Sequence, residues 1–152
     1  MPEGKAASIP EGTYLAFDFG TKRIGVAVGN SVTQTAQPLV TLHGEENDKR
    51  FHAIEALIRE WRPALLVVGL PCNDDGTPHE MTRLSRRFAN RLKGRFGLNV
   101  VLVDERYTSA TASMQLNEAG IRGIKQKSVL DQVAAQQILQ AYFDEPAAGI
   151  YA

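Results

Sequence analysis

The apolar positions between residues 13 and 144 fall into nine segments whose period shifts from strand to helix. Tyr14 to Phe19 is a nearly continuous apolar run, the pattern of a strand covered on both faces, interrupted by the carboxylate of Asp18. After a Gly-Thr-Lys turn, Arg23 to Val28 alternates, with Ile24, Val26 and Val28 on one face and Gly25, Ala27 and Gly29 on the other. A third strand is predicted around Gln37 to Leu42. The period then changes: Phe51, Ile54, Leu57, Ile58 and Trp61 recur at helical spacing within Asp48 to Trp61, and Pro63 stops that helix. Ala64 to Leu70 reads as a buried strand, Pro71 to Pro78 as a loop, and Glu80 to Arg95 as a helix. Asn99 to Asp104 is a further strand, followed by a helix from Thr108 to about Ala119 that Gly120 ends. Beyond the basic loop from Ile121 to Lys127, Ser128 is placed to cap a last helix running to about Phe143. The order β-β-β-α-β-α-β-α-α predicts an α/β layer fold with a mixed sheet, an antiparallel meander followed by helical crossovers. Residues 13–144 form one domain in this reading, with a flexible tail over residues 1–12 and a second over 145–152.

Three acidic residues stand where burial disfavours them. Asp18 lies near the end of the most apolar strand, before Gly20-Thr21, where the bland role for its side chain is to cap the turn. Asp104-Glu105 close the strand from Val100 to Val103, at the carboxyl end where open α/β sheets gather their chemistry; a solvated strand end is the plain alternative. Asp131 falls within the apolar arc formed by Leu130, Ala134, Ala135, Ile138 and Leu139, opposite Gln132, Gln136, Gln137 and Gln140. A capping box with Ser128 would explain its height on the helix but not its azimuth, and a core-facing carboxylate needs a cationic partner. Together these oxygens suit Mg²⁺ or Mn²⁺, and a pair of such ions about 3.5–4 Å apart would activate water for phosphodiester hydrolysis. His43, His52, His79 and the single Cys72 have no zinc-like spacing, and His79 reads as a surface histidine before a proton-transfer group.

Composition narrows the class. The 152 residues are 43% hydrophobic and 22% charged, which excludes disordered, collagenous and coiled-coil readings. No apolar run approaches the roughly 20 residues of a membrane span, the opening residues have no signal-peptide core, and one cysteine makes no internal bridge; a cytoplasmic protein is expected. The 17 basic and 17 acidic residues cancel, an argument against bulk attraction to nucleic acid that weakens once the charges are sorted by position. Met81 to Val103 contains six basic and no acidic residues.

The stretches LAFDFGTKRIGVAVG, VVGLPCNDDG, VDERYTS and KSVLDQVAAQQILQAYF, in this order across about residues 13 to 144, resemble the bacterial family described both as Holliday junction resolvases and as pre-16S rRNA nucleases. The resemblance implies a ribonuclease H-like three-layer fold with a five-stranded sheet in the order 3-2-1-4-5. It also implies a cytoplasmic, divalent-metal-dependent nuclease that matures the 5′ end of small-subunit ribosomal RNA. Asp18, Glu105 and Asp131 match the family's catalytic, metal-holding carboxylates. The wider superfamily's second carboxylate ends the fourth strand, where this chain has Gly69-Leu70-Pro71. Glu105 would then lie two strands from Asp18, roughly 10 Å away, a gap for side chain and metal to close, with Asp74 or Asp75 as a supplement.

Lys22, Arg23 and Arg106 adjoin the proposed ligands and are expected to grip phosphates, with Thr21, Asn73 and Thr108 as hydrogen-bonding neighbours. Lys125 and Lys127, with Arg122, would close over substrate ahead of Asp131. Arg83, Arg86, Arg87, Arg91 and Lys93 form a peripheral basic face, as compatible with simple solvation as with nucleic acid. The expected partners are structured RNA such as pre-rRNA, branched DNA and ribosomal precursor particles, with the chain a monomer or homodimer. Two rivals remain at this stage. Asp-Phe-Gly-Thr also resembles the phosphate-binding opening of actin-like ATPases and sugar kinases, which need two such domains. A non-catalytic assembly or transcription factor is the other, disfavoured by a carboxylate trio that would repel phosphate.

Overall fold

A computed structural model describes residues 9–73, 75–105 and 123–152, the backbone alone for 123–127. Strands β1 (Thr13–Phe19), β2 (Arg23–Asn30) and β3 (Thr35–His43) form the expected antiparallel meander. Helix α1 (Asn47–Trp61) then crosses to β4 (Leu65–Leu70), and α2 (Glu80–Phe96) to β5 (Val100–Asp104), so that β4 lies parallel to β1 and β5 parallel to β4. The last long helix, α3 (Gly123–Asp144), leads through a short 3₁₀ turn (Pro146–Ala148) to β6 (Ile150–Tyr151). None of the described helices is long and apolar enough to cross a membrane.

The sheet order is β3-β2-β1-β4-β5-β6. It contains the order 3-2-1-4-5 and departs from expectation at its edge. Residues 145–152 do not form a loose tail: β6 pairs antiparallel with β5, and the Ala152 N–H donates to the Val100 carbonyl at 2.8 Å. At the other end, the Tyr14 hydroxyl donates to the Pro10 carbonyl at 2.6 Å, and the Gly12 N–H donates to Ser31 Oγ at 2.9 Å. Pro10 to Gly12 are therefore tied to the domain. The helix expected over Thr108 to Ala119 lies outside the described residues.

Alternation along β1 explains its unbroken apolarity. Leu15 and Phe17 point toward α1 and α2, where they meet Phe51, Ile54, Phe88 and Leu92. Tyr14 and Ala16 point the other way, into a second core with Ile138, Leu139 and Tyr142 of α3. Both faces of the central strands are thus covered, as parallel sheets require. Asp18 shares the parity of Tyr14 and Ala16 and belongs to the α3 face.

Helix α3 begins five residues before Ser128, which is therefore interior rather than a cap; its carbonyl accepts from Thr41 Oγ1 at 2.7 Å. Three glutamines read as the helix's polar face are turned onto β3. Gln132 Nε2 donates to Thr41 Oγ1 at 3.2 Å, Gln136 Nε2 to the Ala36 carbonyl at 3.0 Å, and Gln140 Nε2 to the Gln34 carbonyl at 3.0 Å. Their spacing of four residues places one donor per helical turn along the edge strand.

Candidate active site

The site lies at the carboxyl ends of the parallel strands, on the α3 face, and is built around Asp18. On one side, Asp18 pairs directly with Gly25 of β2. A side chain at Gly25 would overlap the Asp131 carbonyl oxygen and come within 2.9 Å of Asp131 Cβ, so the helix backbone at Asp131 rests on the strand at that glycine. On the other side, the register of β1 with β4 puts Gly69 beside Asp18, one step beyond the pair Phe17 and Val68. A Cβ at Gly69 would lie 2.7 Å from Glu105 Cδ and would strike Ile138 Cδ1. The absent side chain leaves a passage through which Glu105 reaches across β4, and its carboxyl hydrogen-bonds that of Asp18. The gap expected between them is closed by direct contact. Gly69, where the superfamily's second carboxylate was missing, is the opening that admits a carboxylate from the next strand.

Two carboxyls in contact cannot both carry full charge, and Glu105 is only 8% exposed. Burial, then the charge of Asp18, pushes Glu105 up to about 9, and burial raises Asp18 to about 6. Glu105 thus holds the shared proton and donates it toward Asp18. The third carboxylate has a different partner: Arg23 Nε donates to Asp131 Oδ2 at 2.6 Å, with the Asp131 side chain 19% exposed. The cation that an inward Asp131 requires is therefore Arg23, which was expected to grip phosphate. Helix α3 places Asp131 two turns past its first residue, so the first-turn capping explanation does not apply.

Asp18 and Asp131 face one another across a cleft of about 330 Å³, whose lining also includes Thr21, Lys22, Arg23 and Met81. Among the described residues, no three His, Cys, Asp or Glu side chains already stand as a metal-ligating group. The donor set nevertheless suits a hard divalent cation. All the donors are oxygens, two carboxyls share a proton that a cation can displace, and the third is held by a single exchangeable guanidinium.

Several expected participants serve the scaffold. The Asn73 amide donates to Thr77 Oγ1 at 2.9 Å, and Asp75 accepts from the Thr77 N–H at 2.9 Å, both within one turn. His79 caps α2 by accepting the Met81 N–H. Asp74, Arg106 and Thr108, with the side chains of Lys125 and Lys127, lie outside the described residues. One participant was missed. Arg50, 5% exposed, donates to the Thr21 carbonyl at 2.9 Å and to the Gly20 carbonyl, and its guanidinium lies 5.0 Å from the centre of the Phe19 ring. It pins the turn that joins Asp18 to Lys22 and Arg23. The signal was present: Arg50 precedes Ile54 by one helical turn and so belongs to the buried stripe of α1.

Residues 12–145 match the sequence profile of the RuvX family, described as Holliday junction resolvase. The chain belongs to this family. Related chains agree along nearly their whole length. A protein of Nitrosospira multiformis named "Putative pre-16S rRNA nuclease" is 59% identical over 146 residues, covering 95% of this chain and 97% of the relative. A protein of the same name from Methylobacillus flagellatus is 60% identical over 144 residues with the same coverage. Among solved structures, Thermus thermophilus RuvC in complex with a Holliday junction substrate superposes with a TM-score of 0.55 at 13% identity, covering 92% of this chain and 99% of that one. That likeness shows the fold alone, and the family match makes the RuvX chain an α/β enzyme of a nuclease family.

Proposed function

We propose that this RuvX protein is a cytoplasmic, divalent-metal-dependent endo- or exonuclease that trims the 5′ end of pre-16S rRNA during ribosome assembly. The observation that carries the proposal is the Asp18–Glu105 carboxyl contact at the carboxyl end of β1, with Asp131 lining the same cleft. The names of the relatives support the substrate.

Asp18, Glu105 and Asp131 would hold Mg²⁺ or Mn²⁺, which when bound supplies an activated water and charge stabilisation at the leaving oxygen. The protein's own groups prepare the site. Holding the cation would require Glu105 to release its proton to solvent and Asp131 to let go of Arg23. Arg23 and Lys22, with Thr21 beside them, then face the substrate phosphate at the cleft wall, where positive charge offsets its approach to the carboxylates. Arg50 holds the turn carrying these groups, so that they need not be ordered when substrate arrives.

The test is purified protein with Mg²⁺ or Mn²⁺ on precursor ribosomal RNA and on a four-way DNA junction. Asp18→Asn, Glu105→Gln and Asp131→Asn should each lower kcat by at least about a hundredfold while the circular dichroism spectrum is retained. Metal-dependent cleavage that persists in Asp18→Asn would overturn the assignment. The family's description favours branched DNA as the second reading. Preferential cleavage of the junction would select it.

A further inference from the structure

The metal cleft continues into a second one. A cavity of about 260 Å³ opens between the β1–β2 turn, the start of α1 and the flank of α2, and shares Phe19 and Thr21 with the metal cleft. Its walls carry three guanidinium groups, those of Arg50, Arg87 and Arg91, against one carboxylate, Glu45. Five of the six cations of α2 sort into two sets, while Arg86, also without a hydrogen bond or ion pair among the described residues, does not line the cavity. Arg83 is held by Glu80 at 2.6 Å, Lys93 donates to the Ala152 carbonyl at 3.0 Å, and Arg95 lies 4.7 Å from the centre of the Phe51 ring. Arg87 and Arg91, one turn apart and both facing the cavity, have no hydrogen bond or ion pair among the described residues.

The chemistry of the walls selects the ligand. A flat base would need a free aromatic face, but Phe19 has Arg50 at 5.0 Å from its ring centre and Phe88 at 4.7 Å, and Phe51 and Phe88 are buried. What remains open is a pair of unpaired guanidiniums, each of which matches a phosphodiester in both charge and fork geometry. We propose that Arg87 and Arg91 form a second phosphate subsite, so that the substrate strand leaves the metal cleft past Thr21 and runs along α2. The subsite reads backbone and not base. It rests on the nuclease reading only for the identity of the strand, and it divides the expected basic face into two working residues and three others.

The test compares Arg87→Ala/Arg91→Ala with Arg83→Ala/Lys93→Ala, which removes the same charge from the same helix outside the cavity. Binding of a labelled precursor-rRNA fragment and of a four-way DNA junction is measured across a salt series, without Mg²⁺. The first variant should lose at least about tenfold in affinity, and the slope of log K against log salt should fall by about two; the second should lose less than about twofold. Equal losses from the two variants would mean a diffuse basic field and would overturn the subsite, as would no loss from either. On a cleaved substrate the first variant should raise KM at constant kcat. If the wild type cleaves neither probe while the binding difference persists, the nuclease reading fails and the subsite stands. If the wild type cleaves and KM is unmoved in Arg87→Ala/Arg91→Ala, the subsite fails and the nuclease reading stands.

Discussion

Asp18 stands at the centre of the candidate site because of two residues that have no side chain. Gly25 lets the α3 backbone settle against β2, which brings Asp131 to one side of Asp18. Gly69 leaves room for Glu105 on the other. Gly69→Ala tests this directly. Its methyl would lie 2.7 Å from Glu105 Cδ, so either the carboxylate withdraws or Ile138 and α3 shift. The expected cost is about 1–3 kcal/mol of stability by urea unfolding, together with loss of cleavage. Full activity in that variant would mean that Glu105 does not need the passage. The residue types of the site were visible along the chain, because carboxylates in apolar segments are conspicuous. Their contacts were not: Gly69 read as a missing ligand, since a glycine marks a close approach without saying what approaches.

At the level of elements, periodicity located β1 to β5 and the three long helices to within about five residues, but it missed β6 and misjudged what α3 touches. The glutamines of α3 are polar, and an isolated helix would turn them to water. In the fold Gln136 donates to the Ala36 carbonyl of β3, an edge strand, Gln140 to the Gln34 carbonyl just before it, and Gln132 to the Thr41 hydroxyl. Gln136→Ala removes the donor to the Ala36 carbonyl and should cost about 0.5–1.5 kcal/mol. Hydrogen exchange should speed up in β3 more than in β4, while uniform acceleration would assign the loss to global stability instead. The C-terminal residues Ile150 and Tyr151 were missed for a related reason. A two-residue strand has no period of its own and exists only because β5 presents an unpaired edge.

For the molecule as a whole, the buried carboxyl pair couples stability to pH and, in the proposed reading, to metal. Unfolded, these groups ionise near 3.8 and 4.5; folded, burial raises Asp18 to about 6 and Glu105 to about 9. The folded state therefore binds more protons across that interval. The stabilisation is complete below the unfolded values and is lost as pH rises through about 6 and then about 9. The urea midpoint of metal-free protein should fall between about pH 5 and about pH 9, and Glu105→Gln, which keeps the hydrogen bond without the titration, should flatten the slope. If Asp18 and Glu105 hold Mg²⁺ as proposed, the ion should restore stability at the alkaline end by offsetting the carboxylate charge in place of the proton. A slope unchanged in Glu105→Gln would place the titration elsewhere.

Taken alone, the chain of residues determined the kind and order of its described elements from β1 to α3, the mixed sheet and the identity of the acidic residues, since these follow from local periodicity and from the cost of burying charge. Partnership was settled by folding. Arg23 paired with Asp131 across 108 positions, Glu105 reached Asp18 over Gly69, and Arg50 closed on the turn behind both. Such contacts depend on register, and on how near one backbone can come to another, and neither is written into the spacing of any single segment.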